Sequence, residues 1–267
     1  MEEKKVSQTA LATAFYRGYH ALNDKPKIFD DFLAFQLLSA EERKSFEQQM
    51  VMALKSINPA ATTVFHDDAA ILGWVIQSMA GPALVLTRAR YAEDCLMEAV
   101  RQGVKQYVIL GAGMDTFAFR YPDMLKQLHV FEVDHPVTQA FKCQRLAELR
   151  WDIPPNLHFV PIDFTQENLV SVLKSSSFDP QAPSFFSWLG VTYYLTRDIV
   201  FSTLRAIADI APAGNMVVFD YLDSDAFVPQ KVAPRIQRGV FPRRGAAVLL
   251  LRASLGHGRR ARGSAAP

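Results

Sequence analysis

The stretch that decides the fold is Gln106-Tyr-Val-Ile-Leu-Gly-Ala-Gly-Met-Asp115. Four apolar residues, Tyr107 to Leu110, form a short buried-strand pattern and run directly into Gly111-Ala-Gly113. Glycine in that position supplies a tight turn in which backbone can approach a ligand without a Cβ in the way. Beyond it, short apolar runs recur at Val130 to Val133, Leu157 to Val160, Ser184 to Trp188 and Met216 to Phe219. Between them lie helix-period stretches at Val137 to Arg150, Gln166 to Leu173 and Arg197 to Ile210. Strands alternating with helices imply βαβ units and a doubly wound, mostly parallel α/β sheet. Ligands of such folds bind beyond the carboxyl ends of the strands, so the residues that follow each strand are the ones to inspect.

Upstream, residues 7 to 101 show helical periods at Gln8 to Leu22, Ala40 to Leu54, Ala69 to Met79 and Arg88 to Val100, with Ser39 and Glu42 spaced for a capping box. Asn58-Pro59 and Gly81-Pro82 read as turns. The chain therefore divides into an N-terminal helical cap over 1–101, an α/β core over 102–237 and a tail over 238–267. The tail contains seven arginines and no acidic residue; taking these charges from the net +2 leaves −5 on the rest. Such a break in composition is read as a frame-shifted or truncated end, disordered and lacking the closing strands of the sheet. A basic interaction tail is the other reading, and it predicts salt-sensitive binding to a polyanion.

Composition narrows the function. A near-neutral chain with an acidic body lacks the concentrated basic surface of a nucleic-acid binder. The N-terminus is unlike a signal peptide, and no apolar run of ~18 residues suggests a membrane span, so a cytoplasmic location is expected. Cys95 and Cys143 have no ligand spacing around them and read as free thiols, and no metal site is expected.

The second strand, His129-Val-Phe-Glu-Val-Asp134, ends in acids about 20 positions beyond the glycines, where a carboxylate can accept the hydroxyl hydrogens of a ribose. Two cofactor classes share that geometry. A dinucleotide fingerprint requires a third glycine where this chain has Thr116, and Asp115 would set negative charge beside a pyrophosphate. S-adenosyl-L-methionine has no phosphate and carries cationic groups, so the acidic turn favours it over NAD(P).

Three ordered segments, Val108-Ile-Leu-Gly-Ala-Gly-Met-Asp-Thr-Phe-Ala-Phe-Arg120, Phe131-Glu-Val-Asp-His-Pro136 and Trp188-Leu-Gly-Val-Thr-Tyr-Tyr-Leu195, stand together with Thr87-Arg-Ala-Arg-Tyr-Ala-Glu-Asp94. In these the chain resembles the leucine carboxyl methyltransferase-like family of class I S-adenosylmethionine-dependent methyltransferases, in its bacterial branch, over about residues 8 to 235. The resemblance implies that Arg88 pairs with the methionine carboxylate and that Gly111 and Gly113 approach the methionine portion. It further implies that Asp134 binds the ribose and that Asp163 and Phe164 hold the adenine, by hydrogen bond and by packing. Each has a plainer alternative: Arg88 as a solvated helix charge, Asp163 as a helix cap, and Glu132 in place of Asp134, expected on the other side of the strand. Leu189 departs from the family, in which a Glu is common at that position. Tyr193 and Tyr194 follow as pocket or core residues, and His135 is a weak candidate for a general base.

The resemblance implies O-methylation of a carboxylate or hydroxyl on a small molecule or peptide as the function. The alternatives are an NAD(P)-dependent oxidoreductase and a non-catalytic cofactor-binding remnant. Acceptor and oligomeric state are not legible in the residues.

Overall fold

The computed structural model describes residues 6–211 and 214–222, together with the backbone of 248–255. Four strands run parallel with a fifth: β1 (Gln106–Leu110), β2 (His129–Asp134), β3 (Leu157–Pro161), β4 (Ser184–Trp188) and β5 (Asn215–Leu222). They lie in the order β3-β2-β1-β4-β5, with β6 (Val248–Leu255) antiparallel along β5. Every parallel strand begins within one residue of its expected start.

The sixth strand corrects the sequence reading. The closing strands were expected to be missing, yet Asn215 to Leu222 pair residue for residue with Leu255 to Val248. A strand of sequence Val-Leu-Leu-Leu-Arg-Ala-Ser-Leu within the arginine-rich segment thus supplies the antiparallel edge, because backbone pairing depends little on the net charge of flanking residues. The rest of the tail lies outside the described residues.

The helices before the sheet are α1 (Gln8–Asn23), α2 (Ala40–Ile57), α3 (Pro59–Thr62), α4 (Asp68–Ser78) and α5 (Ala80–Arg101). Ser39 and Glu42 form the expected capping box at α2. Two turns prove to be helix starts. Pro59 opens α3, and Gly81-Pro82 sits in the first turn of α5, where the missing proline N–H has no intrahelical partner to lose. The remaining helices are α6 (Phe117–Arg120), α7 (Pro136–Glu148), α8 (Leu169–Lys174) and α9 (Arg197–Ile210). No single helix among the described residues is long and apolar enough to cross a membrane.

Both faces of the sheet are covered, which is why β1 and β4 are apolar without alternation. Val108, Leu110, Phe131, Val133, Phe186 and Trp188 pack against α8 and α9 through Leu173 and Ile207. Tyr107, Ile109, Val130 and Phe185 face α5 through Ala92, Leu96 and Ala99. A third cluster joins α1, α2 and α4 to Met114 and Leu146, so the helical cap is seated beside the carboxyl ends of the strands. Each fully buried Leu or Phe in these layers contributes roughly 1.5–3 kcal/mol. Cys95 and Cys143 are both free thiols.

A buried polar network fastens the cap. Asp31, on the segment after α1, accepts from Arg17 Nε at 2.8 Å, from Thr116 Oγ1 at 2.6 Å and from the Ala34 N–H at 3.1 Å. Arg17 also donates to the Met114 carbonyl at 2.6 Å. Arg120 bonds Thr116 Oγ1 through Nε at 2.9 Å and chelates Glu93 of α5 with its two terminal nitrogens. The residue that breaks the dinucleotide fingerprint is therefore the fastening point between the β1 loop and the cap. Burial pushes the Asp31 carboxyl up, but Arg17, Arg120 and the Thr116 hydroxyl outweigh it and hold the group below its usual range.

Candidate active site

A cavity of about 550 Å³ opens at the carboxyl ends of β1 to β4 under the first two turns of α1. Its position spans the point where strand order reverses between β1 and β4. Arg88, Gly111, Gly113, Asp134, Asp163 and Phe164 all line it, so residues drawn from 77 positions of sequence converge on one space.

The glycine turn is fixed by its surroundings. Gly111 has φ of +72° and donates its N–H to the Val133 carbonyl at 2.7 Å, which ties the turn to β2. A Cβ on Gly111 would lie 2.2 Å from Cγ2 of Val191, and one on Gly113 would lie 3.0 Å from Cβ of Ala10. The turn thus has room for backbone only, between the loop after β4 and the covering helix.

Asp134 stands at the end of β2 and accepts the N–H groups of Gly113 and His135, one on each oxygen. A carboxylate has about four acceptor positions, so two remain for a diol. Burial pushes the Asp134 carboxyl up, and the two N–H groups pull it back. Glu132 is elsewhere: its carboxylate is buried under Lys142 of α7, whose ammonium also reaches the Asp115 carbonyl at 2.6 Å. Burial raises Glu132 to about 7, with Lys142 opposing. The expectation that Glu132 points away from Asp134 across the strand is wrong in principle, since positions two apart share a face. The two acids differ in depth instead, and only Asp134 reaches the cavity.

Asp163 lines the cavity and is not a helix cap: Asn168 caps α8, and Asp163 closes the turn before it. Its Oδ1 accepts from the backbone and hydroxyl of Thr165, at 3.0 and 2.6 Å, while Oδ2 lies 3.8 Å from His135 Nε2. Phe164 tilts toward Trp188 with ring centroids 6.1 Å apart. His135 caps α7, accepting the Val137 N–H on Nδ1 at 3.3 Å, which fits the helix-start reading better than a general base.

Arg88 is not a solvated helix charge. It is 6% exposed, and its Nη1 donates to Asp220 Oδ2 at 2.7 Å and to the Tyr193 hydroxyl at 3.1 Å. Burial disfavours the guanidinium charge, but Asp220 and Tyr193 more than restore it, so the group stays ionised. Tyr194 lines the cavity mouth and meets Thr9 Oγ1 of α1 at 3.0 Å, while Leu189 presents an apolar wall. Asp220 and Gly190 carry a weaker sequence signal: Asp220 follows the apolar run Met216 to Phe219, and Gly190 lies two residues beyond Trp188. Arg17 gave no signal, because a lone arginine on an amphipathic helix has many uses.

These features fit a nucleoside-type cofactor without phosphate. The cradle tolerates no Cβ at Gly111, a carboxylate with acceptor capacity left over lies one strand away, and the lining includes a buried guanidinium. No group of three or more metal-ligating side chains occurs among the described residues.

The family model described as leucine carboxyl methyltransferase matches residues 10–208. YktD of Bacillus subtilis (strain 168), assigned by name to the S-adenosyl-L-methionine-dependent methyltransferases, is 40% identical over 241 residues, covering 90% of this chain and 79% of that protein. A Frankia alni protein of the same designation is 29% identical over 215 residues, 80% of this chain and 68% of its own. Among solved structures, a Thermobifida fusca protein titled as a methyltransferase aligns with a TM-score of 0.43 at 20% identity, over 66% of this chain and 65% of that one. A duf574 family protein from Streptomyces avermitilis aligns with a TM-score of 0.45 at 14% identity, over 65% and 68%. On the family match and the relationship to YktD, the chain belongs to the leucine carboxyl methyltransferase family of S-adenosylmethionine-dependent methyltransferases.

Proposed function

We propose that the chain transfers a methyl group from S-adenosyl-L-methionine to an oxygen acceptor, a carboxylate in preference to a hydroxyl, on a small molecule or peptide. The observation that carries the cofactor site is the Asp134 carboxylate, spread between the Gly113 and His135 N–H groups at the rim of a cavity that also holds Arg88. When bound, the cofactor supplies a methyl group already activated by its sulfonium. The protein's own residues then position and exclude water, which suits an in-line displacement needing no covalent intermediate.

Asp134 would accept the ribose hydroxyls, Phe164 would pack on the adenine with Asp163 at its edge, and Arg88 would hold the methionine carboxylate in a charge-assisted pair. Gly111 and Gly113 would keep the backbone close to the methionine portion. The acceptor reading rests on the lining beyond these groups. Arg17, already paired with Asp31, brings a guanidinium to the lining, Leu189 and Val191 are apolar, and the imidazole of His135 is engaged at a helix start. An ionised carboxylate suits such a pocket because it attacks without a base, whereas a hydroxyl would need one. The family match weighs against the nicotinamide alternative, and the dinucleotide glycine is replaced by a fully buried threonine bonded to Asp31.

The test is calorimetry with S-adenosylmethionine and S-adenosylhomocysteine, followed by an acceptor screen with methyl-labelled donor. Binding of both and alkali-labile label, as from a methyl ester, are the expected results. Alkali-stable label would overturn the carboxylate assignment. NAD(P) binding without S-adenosylmethionine binding would overturn the cofactor reading.

A further inference from the structure

Arg88 and its partners are built unlike an ordinary buried ion pair. Asp220, two residues before the end of β5 and fully buried, divides its carboxylate between two elements of the site. Oδ2 takes Arg88 Nη1 from α5 at 2.7 Å, and Oδ1 takes the Gly190 N–H from the loop after β4 at 2.8 Å. The Asp220 carbonyl accepts the Thr192 hydroxyl, and the next residue, Tyr193, places its own hydroxyl 3.1 Å from Arg88 Nη1. Gly190, at φ +77°, leaves space that the guanidinium fills: a Cβ there would lie 2.6 Å from Arg88 Nη2.

All hydrogen bonds that Arg88 makes to described residues thus leave through Nη1, while Nε and Nη2 make none. A guanidinium carries five donors in a planar fork. Held by one nitrogen, it retains a second edge suited to bidentate capture of a carboxylate.

We propose that Asp220, assisted by the Tyr193 hydroxyl, is a positioning residue that fixes the Arg88 guanidinium so that its second edge meets the carboxylate of the bound cofactor. This rests on the reading of Arg88 given under the proposed function. A long arginine side chain loses rotamer freedom when it binds, and clamping it before the ligand arrives removes that cost from binding. Because Asp220 also holds Gly190, the same carboxylate keeps the loop after β4 at the distance at which Val191 closes over Gly111.

The test compares two ligands on the full chain: S-adenosylhomocysteine and its decarboxylated analogue, which keeps the adenosine, thioether and amine. Asp220→Glu preserves the charge and lengthens the side chain by one methylene, so it perturbs position alone. Its expected effect is a loss of about tenfold or more in affinity for S-adenosylhomocysteine, with the analogue nearly unaffected. Tyr193→Phe removes the second tether without altering charge, and about threefold is expected on the first ligand alone. It carries the test if Asp220→Glu does not fold. Equal weakening of both ligands would mean a merely structural role and overturn the inference, as would an unchanged affinity ratio in the folded variants. Failure of the unaltered protein to bind either ligand would overturn the cofactor reading itself.

Discussion

Two buried arginines on either side of the glycine turn show opposite patterns of satisfaction. Arg120 uses all three of its nitrogens, on Thr116 and both oxygens of Glu93, and its guanidinium carbon lies 4.8 Å from the Phe29 ring centroid and 5.0 Å from that of Tyr121. Toward described residues Arg88 bonds through a single nitrogen, and the residue lines the cavity. Similar burial and the same side chain therefore serve two ends. A guanidinium enclosed by protein acceptors fastens elements together, whereas one held at a single nitrogen is arranged to receive another anion.

That contrast breaks first if Arg120→Met is tolerated. The change leaves two carboxylates, Glu93 and Asp31, without their shared cation, and a loss of about 3–5 kcal/mol in urea-unfolding stability is expected. The folded variant should retain its affinity for S-adenosylhomocysteine. Arg88→Met should lower stability as well, since Asp220 is left unpaired, but here affinity should also fall. Loss of affinity in both, or in neither, would erase the distinction between the two arginines.

Asp134→Ala comes next, with cofactor binding weakened by about 1–3 kcal/mol and little change in stability, as calorimetry and a melting curve would show. Thr116→Gly restores the dinucleotide spacing yet removes a hydroxyl from a charged acceptor. About 1–2 kcal/mol of stability should be lost, and fluorescence titration should show no gain of NAD(P) binding. Ser39→Ala, in the distant capping box, should cost about 1 kcal/mol and leave affinity untouched.

Titration separates the same two regions. The carboxyl of Asp31 is held below its unfolded value, so its contribution to stability is present above about pH 4 and is lost as pH falls through its lower folded value. Asp134 is shifted the other way by burial, so ionising it in the free protein costs stability as pH rises through its folded value. A ligand that needs the ionised form should therefore bind more weakly on mild acidification. Calorimetry across that range should show this in the unaltered protein and a flat profile in Asp134→Asn.

The sequence made the sheet legible because buried parallel strands are short apolar runs with turn residues at both ends. The glycine turn and Asp134 were legible for a related reason: both follow strands closely, and local spacing is enough to bring them together. What was hidden depends on long-range pairing. Arg88 and Asp220 are 132 positions apart, and Thr116 and Asp31 are 85 apart. No local period records either. Asp163 is readable as ligand or helix cap; Asn168 caps α8 instead, and Asp163 bonds Thr165 within the preceding turn while it borders the cavity. The β6 edge is masked in the sequence because its eight residues are embedded in an arginine-rich segment.

The most direct test of the cofactor site is a side-by-side calorimetric titration of S-adenosylhomocysteine into the unaltered chain and into Asp134→Ala. Saturable one-to-one binding that weakens by about 1–3 kcal/mol in the variant is the expected result. Equal affinity in both proteins, or no binding to the unaltered chain, would contradict the assignment of the cavity between β1 and β4.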